Sequence, residues 1–225
     1  HSLLRRAEDR SVEDSLGQQP GRRGPADLTR ASRLACVGIK ILTTTIVWSQ
    51  CTGNAARELF GNVAADLFHA VRGQGAFKNG QRIRVPGLDP EKPLLLRTDL
   101  SFQSDPLLEQ TAAGLEEIAG ILGLPGADIR YQVGAVMNAC GILESPNTCY
   151  FKYPRAGNSG GSLWDYAATA CLFHEAGAVV SDIAGHPMEL NRAGSTFMNH
   201  RGILYAGHRE LADRIIEMHR RLADR

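Results

Sequence analysis

From residue 129 onward, short β-prone runs alternate with stretches of helical period. Strands are predicted over 129–133, 148–153, 178–182 and 203–206, and helices over 134–143, 163–176 and 209–222. Such alternation predicts an α/β chain of layered helices and sheets. Upstream, Leu107, Leu108, Ala112, Leu115, Ile118 and Leu122 fall near helical spacing, so a helix is predicted over 106–122. Residues 35–49, rich in Val, Ile and Thr without helical period, predict a strand, as do 62–71 and 94–97. Between two short β-prone runs stands Asn79-Gly80, and both residues accept the positive φ of a type I′ turn, so a hairpin is predicted there. Residues 1–16 place Leu3, Leu4, Ala7, Val12 and Leu16 among charges and predict an amphipathic helix; 17–25 (GQQPGRRGP) predict a loop.

Composition narrows the function classes. At 225 residues the chain suits one domain, or two lobes sharing a core. A net charge of +1 gives no bulk electrostatic case for a nucleic acid polymer or a membrane. The basic clusters Arg22-Arg23 and His219-Arg220-Arg221 read as solvated surface. Five cysteines, an odd number with no CxxC spacing, suggest neither a disulfide framework nor a cysteine zinc site, so a cytoplasmic location is expected. The apolar stretch 35–48 contains Lys40 and three threonines, too short and polar to cross a bilayer, and no signal-peptide pattern precedes it.

Candidate chemistry concentrates around Asp165, in the first turn of the predicted 163–176 helix. A carboxylate there can meet a divalent cation while the free N–H groups and dipole of the helix favour a nearby phosphate. Hard oxygen ligands are what magnesium prefers. A second reading needs no ligand: Ser162 and Asp165 have the S-x-x-D spacing of a capping box, in which Asp165 only satisfies backbone donors. Both readings stand on the residues alone.

Trp164-Asp165-x-Ala167-Ala168, then Glu175-Ala176-Gly177 and Val180-Ser181-Asp182, resembles the C-terminal signature of the inositol monophosphatase family, which includes 3′(2′),5′-bisphosphate nucleotidases and relatives of fructose-1,6-bisphosphatase. Gly73-Gln74-Gly75-Ala76-Phe77-x-Asn79-Gly80 resembles that family's hairpin. The likeness runs from Asn62 to about Ala212, with motifs in order and at the right spacing. It divides the chain into a phosphatase-like region, 61–225, and a segment without recognisable motif, 1–60. The resemblance implies layered helices and sheets and metal-assisted hydrolysis of phosphate esters. It makes Asp165 a metal ligand, Mg2+ the cofactor, and a small phosphorylated metabolite the partner: an inositol phosphate, a bisphosphate nucleotide or a sugar phosphate. It leaves a homodimer open. Gly134 and Ala135 sit where a family segment offers backbone to the substrate. Asn158, seven residues before Asp165, stands where inositol-specific members often carry an acid.

The departures bear on activity. The resemblance implies an upstream Glu-Glu pair and an Asp-Pro-x-Asp-Gly-Thr segment that hold the metals and activate water, and neither occurs in residues 1–72. Two dications about 4 Å apart are not held by one aspartate. Scattered acids such as Glu8, Asp9, Glu13 or Asp14 are the substitutes available. A catalytically silent homologue that binds a phosphorylated ligand or an active partner subunit is therefore the alternative to a hydrolase. Gly157-Asn158-Ser159-Gly160-Gly161 matches G-x-S-x-G, with Asp182 and several histidines downstream. A nucleophile elbow needs a strand running straight into the turn and a helix straight out; here both are offset, and Ser159 is expected in a flexible loop. No HExxH or HxxxH spacing supports zinc. Glu175 and Asp182 are expected to be structural.

Overall fold

The computed structural model describes residues 44–49, 66–132, 134–157 and 160–224. The helix expected over 1–16, the loop over 17–25, and positions Val133, Asn158 and Ser159 lie outside the described residues.

A four-stranded antiparallel sheet opens the described chain: β1 (Thr44–Ser49), β2 (Asp66–Val71), β3 (Gly75–Lys78) and β4 (Gln81–Ile83), in that spatial order. The β3–β4 turn is Asn79-Gly80, with φ of 50° and 78°. Positive φ at both central residues matches the right-handed twist of the flanking strands, and Asn and Gly tolerate it best. Asn79 Oδ1 also accepts the Leu67 N–H at 2.9 Å, pinning the turn to β2.

The second sheet is mixed. It contains β5 (Leu94–Asp99), β6 (Ala127–Gln132), β7 (Thr148–Lys152), β8 (Val179–Ser181) and β9 (Ile203–Ala206), ordered β6-β5-β7-β9-β8. β5 pairs in parallel with β6 and β7, whereas β9 runs antiparallel to β7 and β8. Parallel neighbours need crossovers, here supplied by helices. α1 (Leu108–Ile121) links β5 to β6, and α2 (Ala135–Ile142) links β6 to β7. α3 (Leu163–Ala176) and α4 (Arg209–Ala223) complete the helices. α1 and α4 cover one face of the mixed sheet; α2 and α3 fill the space between it and the antiparallel sheet. The layers run sheet, helix, sheet, helix, an α/β architecture as the alternation predicts.

Two apolar clusters share the mixed sheet. One lies under α1 and α4, around Leu94, Leu96, Leu115, Phe151 and Ile215. The other lies under α2 and α3, around Tyr150, Tyr166, Phe173 and Tyr205. Burying one such side chain contributes about 1.5–3 kcal/mol. Phe173 meets Tyr205 edge-on at 4.7 Å between centroids, and the Tyr205 hydroxyl donates to the Tyr166 carbonyl at 2.9 Å, so the aromatic stack is also hydrogen-bonded.

Candidate functional site

The crevice begins with strand direction. β5, β6 and β7 are parallel, so their C-terminal ends share one edge of the sheet, and ligands of open α/β sheets bind outside that edge. The last residue of β5 is Asp99 and that of β7 is Lys152. These two form an ion pair in which each side chain is about three-quarters buried. Asn138, one turn into α2 and fully buried, donates Nδ2 to Asp99 Oδ1 at 3.0 Å. Gly202 supports this end of β7 from beneath. Its φ is +63°, and a Cβ there would stand 2.2 Å from the Lys152 carbonyl oxygen, so no other residue fits.

Asp165 occupies the first turn of α3, as the sequence predicts. Its Oδ2 accepts the Ser162 N–H at 2.7 Å, the carboxylate half of a capping box. Burial pushes its carboxyl above the ordinary range; the Ser162 N–H and the Lys152 ammonium oppose that shift, and the Asp99 charge adds to it. Asp165 therefore feels both members of the strand-end ion pair. For Lys152, burial works against the charge, but Tyr166 and Asp99 outweigh it and hold the ammonium above the ordinary lysine value. The loop before α3 is tied down where it meets the helix. The residue at its end, Ser162, bridges to Phe197, and Leu163 N–H reaches the Thr196 carbonyl at 2.7 Å.

Gly134 and Ala135 fall at the N-terminus of α2, where Gly134 caps the helix with φ 92° and is exposed. Their helix reaches the Asp99–Asp165 cluster through Asn138. Sequence reasoning missed Asp99, Asn138 and Lys152. A signal for Lys152 was available, since it is a charged residue closing an apolar strand run, at the end of a sheet where ligands collect. Among the structural expectations, Glu175 accepts the Gly73 and Gly75 N–H groups, each at 2.8 Å. This joins the two family-like motifs at the far end of α3. Asp182 accepts from Ala184 and His186 N–H groups. β7 ends at Lys152 and α3 starts at Leu163, so the strand and helix are not contiguous as a nucleophile elbow requires.

A family model for the inositol monophosphatase family matches residues 53–223, more than half of the chain. The chain belongs to the inositol monophosphatase family. That match extends the sequence likeness by some residues at both ends. Relatives include human inositol monophosphatase 2, 28% identical over 124 residues, covering 55% of this chain and 40% of the relative. Bovine inositol monophosphatase 1 is 30% identical over 149 residues, covering 66% of this chain and 48% of the relative. Among solved structures, an inositol monophosphatase from Anabaena (Nostoc) aligns at TM-score 0.49 and 19% identity, covering 70% of this chain and 57% of that one. The chain spans about half the length of the relatives it matches.

In this inositol monophosphatase family member the strand-end cluster offers oxygen donors of the right kind for magnesium, but they are engaged. One Asp165 oxygen is taken by the Ser162 N–H, and Asp99 is held by Lys152 and Asn138. Magnesium asks for near-octahedral oxygen coordination and sheds water reluctantly. Among the described residues no group of three or more His, Cys, Asp or Glu side chains could hold a metal. As arranged, the described residues do not fit a magnesium ion. No described helix is long and apolar enough to cross a membrane.

Proposed function

We propose that this chain binds a small phosphorylated metabolite in the strand-end crevice and that its 225 residues hydrolyse phosphomonoesters weakly. One observation carries the reading: Asp99 is already engaged by Lys152 and Asn138, and one Asp165 oxygen by the α3 cap. The phosphate would lie against the N-termini of α2 and α3, whose free N–H groups and dipoles favour an anion. Gly134 and Ala135 would present backbone to it, Asn158 would take part in recognising the substrate, and Asp165 would orient the crevice at the start of α3. Inositol phosphates, bisphosphate nucleotides and sugar phosphates are the ligand classes in this reading. Mg2+ remains the family's metal, with Asp165 as its ligand in a fully active member.

A second reading, a magnesium-dependent phosphomonoesterase, is favoured by one feature. After burial, the Asp99 charge adds to the upward shift of the Asp165 carboxyl, so carboxylates from two separate segments act on one another.

Trp164 sits beside Asp165 at the α3 N-terminus and reports on occupancy. Titrating the three ligand classes into a Trp48→Phe background should change Trp164 emission saturably for at least one class. The same titration after Gly134→Val should shift that curve to higher concentration. Flat emission with every class would end the crevice reading.

A further inference from the structure

A cleft of about 470 Å³ lies between the residues that follow β7 and those that precede β9. That volume is within the range of small-molecule sites. Arg155 and Gly157 line it from the first segment, and Arg192, Ser195, Asn199 and His200 from the second. None of Asp99, Asn138, Lys152 and Asp165 lines it, so it is distinct from the strand-end crevice.

The two segments are fastened to one another. The Arg155 N–H donates to the Asn199 carbonyl at 2.9 Å, and Asn199 Nδ2 donates back to the carbonyls of Arg155 at 2.7 Å and Gly157 at 2.6 Å. The Arg155 side chain is anchored as well. Its Nη2 donates at 2.6 Å to Asp105, whose side chain is 7% exposed. One nitrogen of the guanidinium is thus spent on a buried carboxylate, and the rest of the fork is left to a ligand. A guanidinium fixed in advance loses little rotamer freedom on binding.

The charges do not cancel. Asp105 compensates Arg155, and Glu189 faces both His200 Nε2 at 3.3 Å and Arg201 at 3.8 Å. The Arg192 side chain is exposed and makes no hydrogen bond or ion pair with another described residue. Arg192 is therefore the uncompensated positive charge of the cleft. Two guanidinium forks from separate segments suit a group with three acceptor oxygens and nearly two negative charges, which is a phosphoryl group. A carboxylate has oxygens for one fork only.

We propose that this cleft is an anion site, in which Arg155 and Arg192 hold a phosphoryl group apart from the strand-end crevice. The segments that line it lead into that crevice: Pro154 follows Lys152 by two residues, and the Met198 N–H donates to the Gly161 carbonyl at 2.9 Å, just before α3. The phosphoryl group therefore belongs either to the far end of a bisphosphorylated ligand seated in the crevice or to a separate phosphorylated molecule. The anion site itself rests on the two arginines and not on the crevice reading.

The test is titration of inorganic phosphate into the 15N-labelled full chain, following the backbone amides of Gly157, Ser195 and Asn199 by NMR. Wild type should shift saturably, and acetate should bind more weakly. Arg192→Gln should raise the phosphate midpoint about tenfold or more, the effect of losing a hydrogen-bonded charge. Arg192→Lys, which keeps the charge but not the fork, should fall between. Arg155→Lys, which keeps a cation on Asp105, should also weaken binding. Circular dichroism establishes that each variant is folded; Arg192, exposed and unpaired, is the substitution least able to disturb the fold. Absent or unsaturable shifts overturn the proposal, and so do equal midpoints in wild type and Arg192→Gln. Adenosine bisphosphate and adenosine monophosphate then separate the two sources, with Trp164 emission as the crevice readout. If only the bisphosphate moves the Asn199 amide, at the midpoint seen by Trp164, the group is the far end of a crevice ligand. If inorganic phosphate still saturates the cleft beside bound bisphosphate, it is a separate molecule; either result upholds the anion site. Cleft shifts with flat Trp164 emission would sink the crevice reading alone, and a Trp164 response with still cleft amides would sink the cleft alone.

Discussion

Gly161 has no room for a side chain. A Cβ there would meet the Tyr166 hydroxyl oxygen at 1.9 Å, and Tyr166 is fully buried and cannot swing clear. Overpacking of this kind costs about 1–3 kcal/mol. Gly161→Ala should therefore lower the denaturant midpoint, and it should also loosen Asp165, the neighbour of Tyr166. An unchanged midpoint would show that the loop before α3 moves freely against the aromatic stack.

His219 provides a pH prediction at the same scale. Its ring stacks on Tyr153 at 5.6 Å, and its Nδ1 is buried without a hydrogen-bond partner among the described residues. Burial pulls its pKa below the ordinary histidine value, with the Asp182 charge opposing. The folded state thus prefers the neutral ring. That stability is fully present above the ordinary value near 6.5 and is lost as pH falls from there toward the depressed folded value. His219→Phe should flatten the change in melting temperature between pH 7.5 and 5. A slope identical to wild type would assign the acid sensitivity to another group.

At the scale of elements, α3 acts as a strut between two motifs. Asp165 is at its first turn, and Glu175, near its last, clamps the Gly73 and Gly75 amides of the hairpin. Hydrogen bonds to a charged acceptor contribute about 1.5–3 kcal/mol. Glu175→Gln should speed hydrogen exchange at the Gly73 and Gly75 amides by about tenfold or more, leaving the mixed sheet protected. Equal exchange rates would mean the hairpin is held by its strand pairing alone.

Much at this scale is legible in the sequence because its causes are local. Asn79-Gly80 specifies its turn through backbone sterics, and the bounds of α3 follow from a capping box at Ser162 and the left-handed Gly177 that ends it, φ 80°. The site is less legible because its causes are distant. The predicted 94–97 strand stops at Arg97, where the apolar run breaks, yet β5 continues through Thr98 and Asp99 because β6 pairs with it as far as Asp99↔Gln132. Those two extra residues carry the acid that faces Lys152. The 3₁₀ turn Leu100–Ser104, which directs the chain off the sheet edge, is too short to leave a periodic pattern. Asp99, Asn138, Lys152 and Asp165 come from four separate segments, and only the strand order β6-β5-β7 brings them to one edge.

On the scale of the whole molecule, a layered α/β frame of the inositol monophosphatase family carries a strand end where Asp99 is held by Lys152 and Asn138 and one Asp165 oxygen by the α3 cap. A member that turns over rapidly needs several anionic oxygens free for clustered dications, each stabilising the attacking or the leaving oxygen. Here the frame retains the Asp165 helix and the glycine hairpin, while residues 1–72 lack the family's usual acidic motifs. The expected combination is retained phosphate affinity with slow chemistry. Turnover of inositol phosphates, adenosine bisphosphate and sugar phosphates at saturating Mg2+, measured for wild type and Asp165→Asn alongside metal stoichiometry, tests this most directly. Slow turnover, differing little between the two proteins, with no tightly bound pair of metal ions, is the predicted result. Two tightly bound magnesium ions per chain, with fast turnover abolished by Asp165→Asn, would contradict it.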